Sequence, residues 1–467
     1  MLKQQKIFFD FLRFCIGSAK EIPSSLKEAD WKELHFIAKK QCLVGILFDG
    51  IKKLPAEHVG MKKELLFQWM AESQMLEKAN VRLNDAAIHV SEWFRKKGFR
   101  TCILKGQGNA LMYPNPYSRT PGDIDIWVEG EDKRVISFVR SISPHEKACY
   151  HHIEFPSYKG VEVEVHYRPS FLLCFWHNRK LQKYYERVKE EQFSHRVMLG
   201  EQGEISIPTA EFNVIFQLTH IFTHLMNEGI GLRQLVDYYY VICDFYKVYQ
   251  NFSKTHPSSL TLKEGDFSNH PVPLSKEGST FSPSPSSSGS GDVTAPSRCS
   301  EPLRSKDGGP SKVSPDCAGW DRLDVSGDTT SDTASTSTDS SATAARSSFA
   351  ASPSTAIDRV QKELKELGLW KFAGGIMYIM QEVFGMPGSR LIVPPNEKYG
   401  KFVLNEVLEA GNFGRHDARN RFGRSKLGHN LQRVYRDMRL VRYFPAEALC
   451  EPIFRVWHFF WRLKHRR

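Results

Sequence analysis

Apolar residues recur at helical spacing through most of the first 96 residues. WKELHFIAKKQCLVGILFDGIKKLP places them every third or fourth position, and Pro55 follows its end. The stretch from Lys62 to Lys97 keeps the period with few breakers. The opening MLKQQKIFFDFLRFCIG reads as an amphipathic helix rather than a leader, because Asp10 and Arg13 interrupt its apolar run. At Gly98 the pattern changes. FRTCILKG predicts a short buried strand ending at a glycine, and GDIDIWVEG alternates like a strand. GVEVEVHYR also alternates, with Val161, Val163 and Val165 on one face and Glu162, Glu164 and His166 on the other. EDKRVISFVRSI between them predicts a helix.

The helical period returns at Thr209 and predicts two helices broken near Gly229 and Gly231, with Thr209 and Glu211 near the first start. Residues 251–356 are dominated by Ser, Thr, Pro, Gly and Asp. Such a composition buries too little apolar surface to offset chain entropy, so a disordered insertion is expected. Helical patterning resumes at Ile357. The tail FPAEALCEPIFRVWHFFWRLKHRR is aromatic and basic. A core helix and a membrane-surface helix both fit it, and core packing is preferred. The expected organisation is an N-terminal helical region (1–97), an α/β core (98–208), and a C-terminal helical region (209–250 and 357–467) around the insertion. The fold class is α+β: a small mixed β-sheet wrapped by N- and C-terminal helices.

Composition narrows the partners only slightly. A net charge of +11 favours phosphate-bearing ligands, nucleic acid or an anionic surface without separating them. Nine cysteines, none in a CxxC pair, argue against a disulfide framework or zinc ribbon and predict a reducing cytoplasmic setting. No run reaches about 18 uninterrupted apolar residues, so no membrane span is expected.

The chemistry concentrates in ILKGQGNALMYPNPYSRTPGDIDIWVEG. Asp123 and Asp125 alternate along one strand, so both carboxylates face one side. Like charges at that spacing repel unless a cation joins them, and a hard ion such as Mg²⁺ (or Mn²⁺) binds carboxylate oxygens and substrate phosphates together. Glu164 supplies a third carboxylate on a second strand. If the strands are neighbours, the three converge on a site able to hold two ions about 3.5–4 Å apart, as in-line displacement requires. A lone DxD or an alternating Glu pair is an ordinary solvent face. The order glycine turn, DxD strand, then ExH strand is much rarer.

This order resembles the DNA polymerase β-type nucleotidyltransferase superfamily, with its glycine turn, hDhDh strand and later h[DE]h strand. More closely, it resembles a bacterial family of uncharacterised nucleotidyltransferases, through LKG (Leu104 to Gly106), Arg119 followed by GDIDIWV, VEVHYRP, HIFTHLMNEGIGLRQLVDYYY, LEAGNFG and RYFP. The resemblance implies transfer of a nucleoside monophosphate from a nucleoside triphosphate to an unknown acceptor, a small molecule, sugar, protein or RNA. Asp123, Asp125 and Glu164 would be the catalytic metal ligands, with Glu164 also a candidate base. The sequence departs from the superfamily at its phosphate turn. Lys105-Gly106-Gln107 stands in place of Gly-Ser, and Asp123 comes 17 residues after Gly106 rather than about a dozen. Lys105 and the Gly106 backbone are the substitutes expected at the terminal phosphates.

Other polar residues carry two readings each. Arg119 clamps a phosphate or pairs with Glu129. His166 shares the face of Glu164 and orients it, binds substrate or makes a structural hydrogen bond. His220, His224 and Glu228 fall on one helical face, but without an HExxH pattern they read more readily as packed than as a metal site. Arg233 is the helical candidate for nucleotide binding, or pairs with Asp237 at i, i+4. Asn412 reaches a ligand or forms a tight turn. Two rival functions stand beside the transferase: an inactive nucleotide-binding module, which the missing Gly-Ser favours, and a basic RNA-binding or tRNA-acting protein, for which no recognised module is present.

Overall fold

A computed structural model describes residues 3–201, 203–255, 353–419 and 426–465. Four helices come first: α1 (Lys3–Ile16), α2 (Trp31–Lys40), α3 (Val44–Ile51) and the long α4 (Lys63–Lys96). Asp30 caps α2 by accepting hydrogen bonds from the Lys32 and Glu33 amides. Then follow β1 (Thr101–Leu104), the short α5 (Gly106–Ala110), β2 (Ile124–Val128), α6 (Asp132–Ile142), β3 (His152–Tyr158), β4 (Val161–His166) and α7 (Phe175–Ser194). A small hairpin, β5 (Arg196–Met198) with β6 (Glu204–Ser206), leads into α8 (Ala210–Asn227) and α9 (Leu232–Thr255). After residue 352 come α10 (Pro353–Glu366), α11 (Trp370–Glu382), α12 (Glu397–Ala410), α13 (Lys426–Leu440) and α14 (Pro445–Lys464).

The architecture is mixed α+β with a small mixed sheet. The sheet runs β1-β2-β4-β3, with β2 and β4 parallel and the outer pairs antiparallel. β3 is absent from the sequence expectation. It opens on the second of two consecutive histidines and contains Pro156, and its pairing with β4 shifts register between Phe155 and Tyr158, so its alternation is broken.

The sheet separates two cores. Ile103, Ile124, Ile126, Val163 and Val165 face the C-terminal half of α4 and α6. Cys102, Leu104 and Trp127 face a larger helical core that runs from α1 through α8 and α9 to α14. The loop between α5 and β2 is pinned at several points. Asn80 of α4 donates to the carbonyls of Tyr117 and Arg119, and Thr120 donates to the Cys42 carbonyl. A Cβ on Gly45 would stand 2.3 Å from the Ser118 carbonyl oxygen, so only glycine lets α3 approach that closely.

The expected insertion at 251–356 lies largely outside the described residues, but its edges move. Helix α9 continues to Thr255 and α10 starts at Pro353. The break near Gly229 and Gly231 stands between α8 and α9 as expected. Thr209 occupies the cap position of α8 without a side-chain cap bond, while Glu211 accepts from Arg359 of α10 at 3.0 and 2.6 Å. The tail helix packs on the core along one face, through Ala448 and Phe454, and leaves its other face open. Only Glu447, Ala448, Glu451 and Phe454 of α14 are buried, and Ile453, Val456, Phe460 and Leu463 are exposed. Among the described residues no helix is long and apolar enough to cross a membrane.

Candidate active site

The chain turns sharply where β1 ends. Lys105 has φ 56° and Gly106 φ 47°, and the lysine accepts a backbone conformation that costs about 1–3 kcal/mol in a non-glycine residue. The turn sends the Lys105 ammonium across the end of the sheet, 2.9 Å from Asp125 Oδ2 and 3.1 Å from His220 Nε2. Asp125 stands opposite Leu104 on one side and Glu164 on the other. The parallel register of β2 and β4 thus sets the two carboxylates side by side. Asp123 precedes β2 by one residue.

Cationic groups surround these acids. His166 Nε2 lies 2.9 Å from Asp125 Oδ1 and 3.4 Å from Glu164 Oε2, while His152 Nδ1 lies 3.4 Å from Glu164 Oε2. Burial penalises all three carboxylates, but their neighbours divide them. Asp123 is raised by burial and by the charges of Asp125 and Glu164. Asp125 is held well below its ordinary range because Lys105 and His166 outweigh burial. Glu164 is likewise held low, burial being outweighed by the charge of His152 and the hydrogen bond of His166. Burial disfavours charge on His152, yet Glu164 pushes it up to about 10. Burial and the nearby Lys105 keep His220 well below its usual value, so it faces Lys105 as a neutral ring.

Ligand atoms of Asp125, Glu164 and His166 lie within 4.8 Å of one another. Asp123 stands outside that closest group but within its field. Carboxylates gathered where burial and mutual repulsion raise one of them could hold a hard divalent cation, and an imidazole in the group could serve Mn²⁺ as well as Mg²⁺.

The other expected residues separate. The Arg119 guanidinium is buried and engages Asp237 through two bonds, Nε to Oδ1 at 2.8 Å and Nη2 to Oδ2 at 2.9 Å. It does not pair with Glu129, which Arg100 holds instead. Asp237 therefore takes Arg119 rather than its helical neighbour Arg233 as its bidentate partner. Arg233 turns to the strand entry. Its Nη2 lies 3.5 Å from where a Cβ on Gly122 would stand, and its buried Nε has no hydrogen-bond partner. His224 Nδ1 meets Glu228 at 3.4 Å while His220 faces Lys105, so the helical trio does not converge as a metal site. Asn412 is buried in a tight turn, its Cα 2.9 Å from where a Cβ on Gly231 would stand.

Sequence reasoning missed His151 and His152, whose rings stand 4.4 Å apart beside His166. The doubled histidine was the available signal. It also missed Tyr113, whose hydroxyl donates to Asp237 at 2.6 Å.

Residues 27–248 match a family described as uncharacterised nucleotidyltransferase. That span, from within the N-terminal helices through most of α9, is similar to a nucleotidyltransferase-like domain. It contains Lys105, Asp123, Asp125, Glu164, His166 and Arg233. The LEAGNFG and RYFP segments lie outside it. No curated protein and no solved structure matches the chain.

Proposed function

We propose that this domain transfers a nucleoside monophosphate from a nucleoside triphosphate to an acceptor hydroxyl or phosphate, releasing pyrophosphate. The observation that carries the reading is the register of Asp125 against Glu164 on adjacent parallel strands, with Asp123 one residue before β2 and the Lys105 ammonium 2.9 Å from Asp125. Asp123, Asp125 and Glu164 would hold Mg²⁺ or Mn²⁺, with His166 beside them. When bound, such an ion neutralises phosphate charge and aligns the attacking oxygen.

The protein's own groups divide the remaining work. Lys105 supplies a half-buried positive charge next to the carboxylates, where the superfamily's Gly-Ser turn would otherwise meet the terminal phosphates. Arg233, with an unused donor beside Gly122, is the second phosphate contact. Arg119 acts through Asp237 to hold the loop that delivers Asp123. His152 and His166 keep Glu164 ionised, which suits ion binding better than proton removal.

Thermal-shift titration with each of the four ribonucleoside triphosphates, with and without Mg²⁺, tests the reading. Wild type is compared with the Asp123→Asn/Asp125→Asn variant. One nucleotide should stabilise wild type only with the ion, and the variant not at all. A ligand at a hundred times its Kd adds about 2.7 kcal/mol. No shift at millimolar nucleotide in a folded sample would overturn the proposal in favour of a module that has lost catalysis.

A further inference from the structure

Away from the carboxylates, a second cluster joins the start of α7 to the start of α14. Cys174 caps α7 and His177 lies one turn on, giving the pattern CFWH. Glu447 and Cys450 lie one turn apart on α14, in EALC. The Cys174 thiol, a ring nitrogen of His177 and a carboxylate oxygen of Glu447 all lie within 4.8 Å of one another. Cys450, one turn beyond Glu447 on α14, neighbours Cys174 but stands outside that closest group.

We propose that Cys174, His177, Glu447 and Cys450 form a structural zinc site that clamps the C-terminal helix to the nucleotidyltransferase-like domain.

The donor types and placement carry this. Two thiols, one imidazole and one carboxylate make four ligands, the number a closed structural zinc site uses. Thiolate donors select zinc over the harder Mg²⁺ and Ca²⁺. A tetrahedral ion with bonds of about 2.0–2.3 Å spaces its ligands about 3.3–3.8 Å apart, so Cys174, His177 and Glu447 need only small side-chain shifts to close on one, and the Cys450 side chain swings in as the fourth ligand. His177 Nδ1 and Glu447 Oε1 are already 2.9 Å apart. The other carboxylate oxygen, Oε2, accepts from the Cys174 amide at 2.8 Å, an outer bond that would fix Glu447 as a ligand. Gly368 presses on the His177 ring: a Cβ there would stand 2.4 Å from the imidazole, so the glycine leaves the ring its place. Glu447 is 4% exposed, and among the described residues its ion pair is with His177. A carboxylate buried that deeply calls for a cation.

Binding releases one proton from each thiol as two zinc–sulfur bonds form. The clamp would also steady the first site. Phe454 of α14 stacks on Phe171 at 5.2 Å, and Phe171 packs on His151 at 4.8 Å, next to the histidines that face Asp125 and Glu164.

The test uses the full chain, expressed in zinc-supplemented medium and purified with reductant. Elemental analysis should find about one zinc per chain in wild type and in Asp123→Asn/Asp125→Asn, and essentially none in Cys174→Ser/Cys450→Ser. Stripping with a chelator should lower the Tm of wild type, and zinc should restore it. If the serine variant does not fold, Co²⁺ titration of stripped wild type decides. A thiolate-to-cobalt charge-transfer band with intense tetrahedral d–d absorption is expected. Absence of that spectrum, no zinc in wild type, or a Cys174–Cys450 disulfide in the reductant-free protein with no metal uptake would each overturn the site.

Discussion

Arg119 and Asp237, 118 residues apart in sequence, face each other as a planar bidentate pair with both side chains buried. The pair ties the loop before β2 to helix α9, and Tyr113 adds a third bond to the same carboxylate. Removing one member strands the other charge away from water. Arg119→Ala should therefore cost about 3–5 kcal/mol in denaturant unfolding. Arg119→Lys should recover only part, because a lysine cannot make the forked contact. The double change Arg119→Met/Asp237→Leu should regain most of the stability. If that double variant folds well yet loses all nucleotide-dependent thermal shift, Arg119 contacts substrate directly and its role in holding the loop is secondary.

Lys105 divides ion binding from nucleotide binding. Its ammonium competes with any cation for Asp125 but attracts a triphosphate. Lys105→Met should bind Mn²⁺ more tightly by isothermal titration, since a positive neighbour is gone. The same variant should bind nucleoside triphosphate more weakly and transfer roughly a hundredfold more slowly. Weakened binding of both would mean that Lys105 holds the carboxylates in place rather than meeting phosphate.

Much of this site was legible along the chain. Alternation fixes the facing of Asp125 and Glu164, because strand geometry leaves two choices of side, whereas Asp123 precedes β2 by one residue and lies outside the closest group. What alternation does not fix is which carboxylate meets which cation. Helical spacing offered Arg233 to Asp237, yet Arg119 forms the bidentate contact from a loop pinned by Asn80 and Thr120. His151 and His152, at the start of β3, were hidden by that strand's irregular pattern. The thiol cluster was hidden by distance: Cys174 and Glu447 are 273 residues apart, and a search for CxxC passes over a CxxH and an ExxC. Long-range pairing of this kind is set by the packing of α7 against α14, which no local period encodes.

The ends of α9 and α10 bracket residues 256–352 and pack into one core. Tyr249 and Arg359 both donate to Glu211, so α8 holds the two helices whatever lies between. Replacing residues 260–348 with a short Gly-Ser linker should leave Tm unchanged or slightly raised, since each halving of a flexible connection saves about 0.6 kcal/mol of closure entropy. Nucleotide-dependent stabilisation should persist. A truncated chain that aggregates or loses its cooperative melt would show that the removed segment supports the helical core.

Acid should loosen the joint between α2 and α4. Burial works against charge on Glu72, but hydrogen bonds from His35 at 2.7 Å, Lys39 at 3.0 Å and Gln68 at 3.1 Å outweigh it and hold the carboxyl at about 2, below its ordinary 4.5. A carboxyl whose folded pKa is depressed binds protons more readily in the unfolded chain. Its contribution is therefore complete above pH 4.5 and is lost as pH falls toward 2. Because water reaches part of this cluster, the contribution is modest, on the order of 1 kcal/mol. Glu72→Gln should be less stable than wild type by that amount at pH 7, and the gap should close as pH falls between 4.5 and 2. Urea unfolding of the two proteins at pH 7, 4 and 3 measures it. A gap that stays constant across those pH values would mean that Glu72 contributes through packing and hydrogen bonding alone, and that its charge plays no part in joining α2 to α4.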